Sequence, residues 1–444
     1  MSSASMPDLP AEIWITILRA ATLVPRFLGL HLLEAEFTRH PPLYTAIKDL
    51  PEHIKTRATI VLVCKQWRIW ATPFLYEYVV IRSGGGLRPL LGALQSPPVA
   101  SDLASSSGQQ GADPEVIDVA SFRRPFGNLV KRLDFALYEY SDDEPQATGQ
   151  SHKDWEVITQ IAECLPNLRS LNFYSYLQND HHVVMPSSFA QALARTCGKS
   201  LRVLNTYHDR YRFPLPDLYG LLLHTPCLRV LRCKADSFSH YWGPRGRPIS
   251  PTWPTVRVPE PFTKITLPRL SSVYLRLEFT GSFPGLLLPV LSTPHLRHAI
   301  LHSPAHRELE AIPRSLLTGF SSVVSLQFYQ DRSPFNYQAL MHQLQEYCPE
   351  LLRLDLYLQS WEDLTVGLEL PPSLKCLCLA TQPKHAGTTS SLTTLPSTFE
   401  AIRFNNVKSV TLIRIADKKN LQESPSQVYD SILKHLEGRG IRFA

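Results

Sequence analysis

The chain has 444 residues, 44% of them hydrophobic and 19% charged, with a formal net charge of +6. That length exceeds one ordinary compact core, so two or three domains or an elongated repeat array is expected, and the composition excludes wholesale disorder. No dense Lys/Arg block accompanies the small positive charge, so nucleic-acid binding is not expected. No stretch reaches the ~18 apolar residues of a membrane span. Met1 to Pro10 lacks the basic and apolar regions of a secretory signal, which leaves the cytoplasm and the nucleus as expected locations. Cys64, Cys164, Cys197, Cys227, Cys233, Cys348, Cys376 and Cys378 then read as reduced thiols. Cys376 and Cys378 do not have the spacing of a CxxC zinc knuckle, so no metal or other cofactor is expected.

In chain order, the first element runs through Leu9-Pro10-Ala11-Glu12-Ile13-Trp14-Ile15-Thr16-Ile17-Leu18. Asp8 is placed to cap it and Glu12 to supply negative charge in its first turn. Ile13, Trp14, Ile17 and Leu18 recur at helical spacing. A second stripe follows over residues 60–71, where Val63, Trp67 and Trp70 share a face. Pro73 is expected to stop that helix or start the next turn, and Phe74 to Ile81 reads as a turn leading into a strand.

The two stretches LPAEIWITIL and LVCKQWRIWATPFLY resemble an F-box in its divergent fungal form: Leu9, Pro10, Glu12, Ile13, Ile17 and Leu18 match one end, and Val63, Cys64 and Trp67 the other. An insertion over about 19–59, with Pro25, Pro41, Pro42 and Pro51 and a helix around Tyr44 to Asp49, departs from the family's shorter middle. The resemblance implies a helical head, residues 1–82, that docks a Skp-type adaptor of a cullin-based (SCF) ubiquitin ligase. Its adaptor contacts would be Leu9, Pro10, Ile13, Ile17, Leu18, Val63, Cys64 and Trp67, with Trp67 also packing the helices together. The other reading of these residues is a helical cap for the domain that follows.

Residues 83–121 read as a flexible linker. Gly84-Gly85-Gly86 is taken as a turn, and residues 95–115 are rich in Ser, Pro, Gly and Gln without apolar periodicity. Over 122–444 one short phrase returns, beginning at Leu168, Leu201, Leu228, Leu270, Leu296, Val323, Leu351 and Leu374. Asn128-Leu-Val-Lys-Arg-Leu-Asp-Phe is an earlier copy with one extra residue, and Val407 opens a last one. Most spacings are near the roughly 20–29 residues of a leucine-rich repeat, the longest being Leu228 to Leu270. Apolar residues alternate within each phrase, as a half-buried strand requires. Amphipathic helices precede several phrases, over 155–165, 188–196, 217–224 and 336–347, and a helix over 425–436 would cap the end. The expected fold is α/β: a small helical head, then a curved solenoid of short parallel strands and helices. The repeats resemble the irregular leucine-rich repeats found behind F-boxes, although the regular Asn after the strand is missing.

In such a solenoid alternate strand positions face the concave, solvent side. One row would be Asn172, Asn205, Arg232, Tyr274, Ile300, Gln327, Asp355 and Cys378. The next would be Tyr174, Tyr207, Lys234, Arg276, His302, Tyr329, Tyr357 and Ala380. Tyr174, Tyr207, Arg232, Lys234, Arg276, Tyr329 and Tyr357 are the candidate contacts to a protein substrate, because Tyr and Arg combine contact area with hydrogen bonding. The cations Arg232, Lys234 and Arg276 suit an acidic motif. The loop from Phe238 to Pro254 suits a binding lid or a segment folded over the edge. Enzyme signals are weak: Gly198-Lys199-Ser200 lacks the first Gly of a P-loop, His181-His182 has no carboxylate cluster, and no nucleophile, base and orienter assemble. A substrate-recognition subunit is therefore expected, and not an enzyme. The alternative is a non-ligase repeat scaffold whose head is only a cap.

Overall fold

The structure, a computed structural model, describes residues 9–22, 55–82, 84–96, 125–135, 147–173, 183–206, 211–232, 234–236, 264–276, 291–303, 317–330, 335–358, 364, 367–381, 400, 402–404, 406–412 and 426–443. The chain divides into two compact units, Met1–Tyr211 and Arg212–Ala444. Each is α/β and built on parallel strands.

In the first unit the strands Tyr78–Ile81, Arg132–Phe135, Ser170–Phe173 and Val203–Asn205 lie side by side in chain order. In the second, Val230–Arg232, Ser272–Arg276, His298–Ser303, Ser325–Gln330, Arg353–Leu358, Cys376–Thr381, Ser409–Leu412 and Arg442–Phe443 do the same. The recurring phrase sets this register. Arg132 pairs with Ser170 and Ser170 with Val203. In the second unit Val230, Ser272, His298, Ser325, Arg353, Cys376 and Ser409 are successive partners. Each of these residues stands two places after the first apolar residue of its phrase. The same offset makes Val130 the opening residue of the early copy, so Leu129 is the extra one.

The phrases pack as their alternation demands. The opening residues Val130, Leu168, Leu201, Leu228, Leu270, Leu296, Val323, Leu351, Leu374 and Val407 are all buried. So are the apolar residues on the inner side of the strands, such as Leu171 with Phe173, Leu326 with Phe328, and Leu354 with Leu356. Burying a side chain of this size contributes roughly 1.5–3 kcal/mol, and a single phrase has too few of them to fold alone. At three phrases the residue just before the opening adds a stitch to the preceding copy. Asn167 donates from Nδ2 to the carbonyl of Asn128 at 2.8 Å. Ser200 donates from Oγ to that of Leu168 at 2.8 Å and Ser322 to that of Leu296 at 2.9 Å.

The amphipathic segments form helices at Ala147–Glu163, Ser187–Thr196, Leu215–Leu223, Tyr337–Tyr347 and Ser426–Glu437. The Asn336 side chain caps the fourth, accepting from the Ala339 amide at 2.9 Å. In the first unit an aromatic cluster fixes two of them to the sheet: Trp155 packs 5.4 Å from Phe189 and 6.3 Å from Phe173. Gly127 sits where the chain passes so close to the Cys164 carbonyl that an added Cβ would lie 2.1 Å from its oxygen.

Three local readings are revised. The second apolar stripe is not one helix: residues 55–62 are helical, the chain breaks at Val63, and Cys64 caps a new helix, Lys65–Glu77. Pro73 lies inside that helix and does not end it, because the helix goes on to Glu77 before its backbone turns extended at Tyr78. Residues 84–96, assigned to the linker, are folded. A 3-10 turn at Gly84–Gly86 leads into a helix, Leu87–Gln95, which buries Leu87 and Leu94 against neighbouring elements of the first unit. Leu87, Leu90, Leu91 and Leu94 carried a helical signal that the surrounding Gly and Ser obscured. Asp8, the helix expected at Tyr44 to Asp49, residues 97–121, His181, His182 and the loop from Phe238 to Pro254 lie outside the described residues.

Candidate docking head and polar strand face

The head is built by the Ala11–Thr22 helix, the helical residues 55–62 and the Lys65–Glu77 helix. Leu18, Ile60, Trp70 and Ala71 form its core, with Trp14, Ile15, Val61, Trp67, Ile69 and Phe74 packed around them. The rings of Trp14 and Trp67 are 5.5 Å apart. This core consumes one side of the first helix and leaves the other bare. Ile13 and Ile17, one turn apart, are 46% and 44% exposed, and Leu9, one turn earlier, 42%. Leu62 and Val63, at the helix break, are also exposed. Of the large hydrophobic side chains exposed among the described residues, only Leu223 and Leu352 lie elsewhere.

The residues matched to adaptor contacts therefore divide. Leu9, Pro10, Ile13, Ile17 and Val63 are on the surface. Leu18 is 1% exposed and belongs to the core, because helical spacing turns it away from Ile13 and Ile17. Cys64 is a partly buried N-cap whose sulfur accepts from the Trp67 amide at 3.4 Å. Trp67 is partly buried against Trp14.

A buried polar network ties the head to the first strands. The Arg57 Nε donates to the Thr22 carbonyl at 2.9 Å, and its guanidinium lies 5.8 Å from the Tyr78 ring centre. Burial pulls the Arg57 pKa below the usual guanidinium range, while Glu77 and Tyr78 oppose the change. Tyr78 donates from its hydroxyl to Asp134, which also pairs with Arg132 and accepts from Asn172 Nδ2 at 2.6 Å. Glu77 pairs with Lys131.

The strand face opposite the core differs from the expected solvent-facing surface. Asn172, Asn205, Arg232, Tyr274, Ile300, Gln327, Asp355 and Cys378 are all buried. Strands only about 4.8 Å apart, paired in register, set like positions side by side, so each row covers its own members. The buried carboxylate of the row, Asp355, takes its partner from two residues earlier on its own strand. Arg353 holds Asp355 through Nε at 2.8 Å and Nη2 at 3.2 Å. Burial still raises the Asp355 pKa, against the opposing pull of Arg353.

In the outer row Tyr329 and His302 are partly buried, whereas Tyr357 and Ala380 are buried. The Tyr329 and Tyr357 rings stack at 3.9 Å, and His302 meets Tyr329 edge-on at 6.0 Å. The Tyr274 hydroxyl lies 3.1 Å from His302 Nδ1, and the Arg232 guanidinium sits 5.9 Å from the Tyr274 ring centre. Burial pushes the Tyr357 pKa up to about 12. The structure thus joins Arg232, Tyr329 and Tyr357 in one aromatic and polar ladder, with Arg232 and Tyr357 largely covered. Tyr174 and Tyr207 lie outside the described residues, as do the side chains of Lys234 and Arg276. The linking members Tyr274, His302 and Gln327 were not among the contacts expected from sequence. Their alternation with the buried leucines was the available signal.

Gly198-Lys199-Ser200 follows a helix, whereas a phosphate loop precedes one. Among the described residues no group of three or more His, Cys, Asp or Glu side chains is placed to hold a metal ion. No helix among them is long and apolar enough to cross a membrane.

Each unit thus defines an α/β body of parallel strands and helices. Comparison with known protein families and with curated proteins finds no match to this chain.

Proposed function

We propose that this protein is a substrate-recognition subunit of a cullin-type (SCF) ubiquitin ligase. In this reading the head is F-box-like and docks a Skp-type adaptor, and the parallel strands with their helices form a leucine-rich-repeat solenoid that holds a protein substrate. The protein contributes recognition and no catalytic step of its own, and it works in the cytoplasm or nucleus. The observation that carries the reading is the bare apolar row Leu9, Ile13 and Ile17, accompanied by Leu62 and Val63, on a head that already has its own core. Exposed apolar side chains concentrated in one small module favour a protein partner. Leu9, Ile13, Ile17 and Val63 of that row are among the residues the F-box resemblance assigns to the adaptor, whereas Leu18, Cys64 and Trp67 are taken up inside the head. On the strand face, Tyr329 and His302 are the partly exposed members available to a substrate.

Co-purification of the full chain with a Skp-type adaptor tests this. The intact protein is expected to retain the adaptor, and an Ile13→Asp, Ile17→Asp variant with unchanged circular dichroism is expected to lose it. A charge placed in a buried apolar contact costs several kcal/mol. Failure of the intact protein to bind would refute the docking role.

A second reading has its own support. The Lys65–Glu77 helix runs directly into the strand Tyr78–Ile81, which pairs with Arg132–Phe135. A head so joined also suits a repeat scaffold in which it only caps the first strand. That reading expects protein partners without adaptor binding.

A further inference from the structure

Cys376 and Cys378 share one face of the Cys376–Thr381 strand, and their sulfurs are 3.7 Å apart. Residues two apart on a strand have Cα atoms about 6.6 Å apart, so the two side chains must lean together to meet. The register places Arg353 beside Cys376 on one side and Ser409 on the other. Asp355 stands beside Cys378 in the same way. Cys376 is partly exposed, while Cys378 is buried. One sulfur is thus open to a small reagent and the other is shielded behind it.

The electrostatics have the same polarity. The hydrogen bond from the Cys378 thiol favours a thiolate at Cys376, and Ser409 and Arg353 add to it against burial and Asp355. Cys378 is pushed the opposite way, first by that shared bond and then by burial. Burial pushes Cys197 and Cys348 up to about 12, and Cys164 also rises on burial. A partly exposed sulfur beside a cation, with a second thiol in contact, is the arrangement of a peroxide-sensitive cysteine and its resolving partner.

We propose that Cys376 and Cys378 form an oxidation-sensitive dithiol that reacts with hydroperoxides and closes a reversible disulfide within the strand. The Cys376 thiolate attacks the outer peroxide oxygen and the O–O bond breaks. The leaving oxygen takes a proton and departs as water or an alcohol, and Cys376 becomes a sulfenic acid. The Cys378 sulfur then attacks the Cys376 sulfur. The S–O bond breaks, and hydroxide leaves with the Cys378 proton as a second water. Two thiols and one hydroperoxide thereby give one disulfide, water, and water or alcohol. The Cα spacing lies within the roughly 4.4–6.8 Å that a disulfide spans, so the strand can close the bond. This inference rests on the strand geometry and is independent of the adaptor reading.

The reduced full chain is titrated with hydrogen peroxide, quenched with N-ethylmaleimide and digested with trypsin. Cleavage after Lys375 and Lys384 releases a peptide holding these two cysteines and no other. An unalkylated form of that peptide, lighter by two hydrogen atoms, is expected to accumulate before the other cysteines oxidise and to vanish with dithiothreitol. Cys378→Ser is expected to leave a dimedone-reactive sulfenic acid at Cys376, and Cys376→Ser to leave Cys378 reduced. The inference is overturned if the peptide stays fully alkylated while other cysteines oxidise, or if Cys378 oxidises as fast without Cys376.

Discussion

The hydroxyl of Tyr78 donates a 2.6 Å hydrogen bond to Oδ2 of Asp134, joining the end of the helical head to the first repeat phrase. Asp134 is buried and also takes the Arg132 guanidinium, itself 5.1 Å from the Tyr78 ring centre. Tyr78→Phe removes one bond to a charged acceptor and should destabilise the chain by about 1.5–3 kcal/mol. Arg132→Ala strands a buried carboxylate and should cost more, roughly 3–5 kcal/mol. Urea unfolding followed by tryptophan fluorescence, which Trp14, Trp67, Trp70 and Trp155 report from this unit, checks the order of the two losses.

Gly127 offers a test of close backbone packing. A methyl group there meets the Cys164 carbonyl, which cannot swing aside as a flexible side chain would. Gly127→Ala is expected to lower stability by about 1–3 kcal/mol despite its small size. Gly85→Ala, with open space around its Cβ, serves as the control and should stay near wild type. Thermal unfolding of the two variants side by side distinguishes them.

The buried thiols Cys197 and Cys348 make stability fall in alkali. Each is neutral when protonated, and burial raises its pKa from 9.0 to about 12 in the folded state. Their contribution is complete below about pH 9 and is lost as pH rises toward 12, because the unfolded thiols ionise first. Between pH 8 and pH 10 the two together should remove about 3 kcal/mol. Urea unfolding under reducing conditions at both pH values should show a smaller drop in a Cys197→Ala, Cys348→Ala variant than in wild type.

Leu18 and Ile13 stand on one helix with opposite expected effects. Leu18→Ala empties the head's core and should cost roughly 2–5 kcal/mol. Ile13→Ala, at a side chain 46% exposed, should change stability by well under that amount while weakening adaptor binding. Unfolding midpoints paired with adaptor affinities for the two variants check the separation.

Much of the repeat region was legible because its signal is redundant. Every phrase repeats the same apolar opening and alternation, so Leu168, Leu296 and Leu374 could each be placed without the others. Strand alternation separates the two faces but says nothing of how neighbouring strands cover a face once paired. Asn172, Arg232 and Asp355 were for that reason read as exposed, although sideways packing buries them. In the head, helical spacing grouped Ile13, Trp14, Ile17 and Leu18 in one stripe, but the helix turns Trp14 and Leu18 to the core and leaves Ile13 and Ile17 outside. The break at Val63 and Cys64 was hidden because the apolar pattern continues across it. The helix Leu87–Gln95 was missed because three glycines precede it and low-complexity sequence follows.

In the proposed function the bare apolar row of the head receives an adaptor. Hydrogen–deuterium exchange of the full chain, with and without a saturating Skp-type adaptor, tests it most directly. Slowed exchange is expected over residues 9–22 and 55–64, with the strand segments of the second unit unchanged. An adaptor that binds but protects only those strand segments, or that leaves residues 9–22 as exchangeable as before, would contradict it.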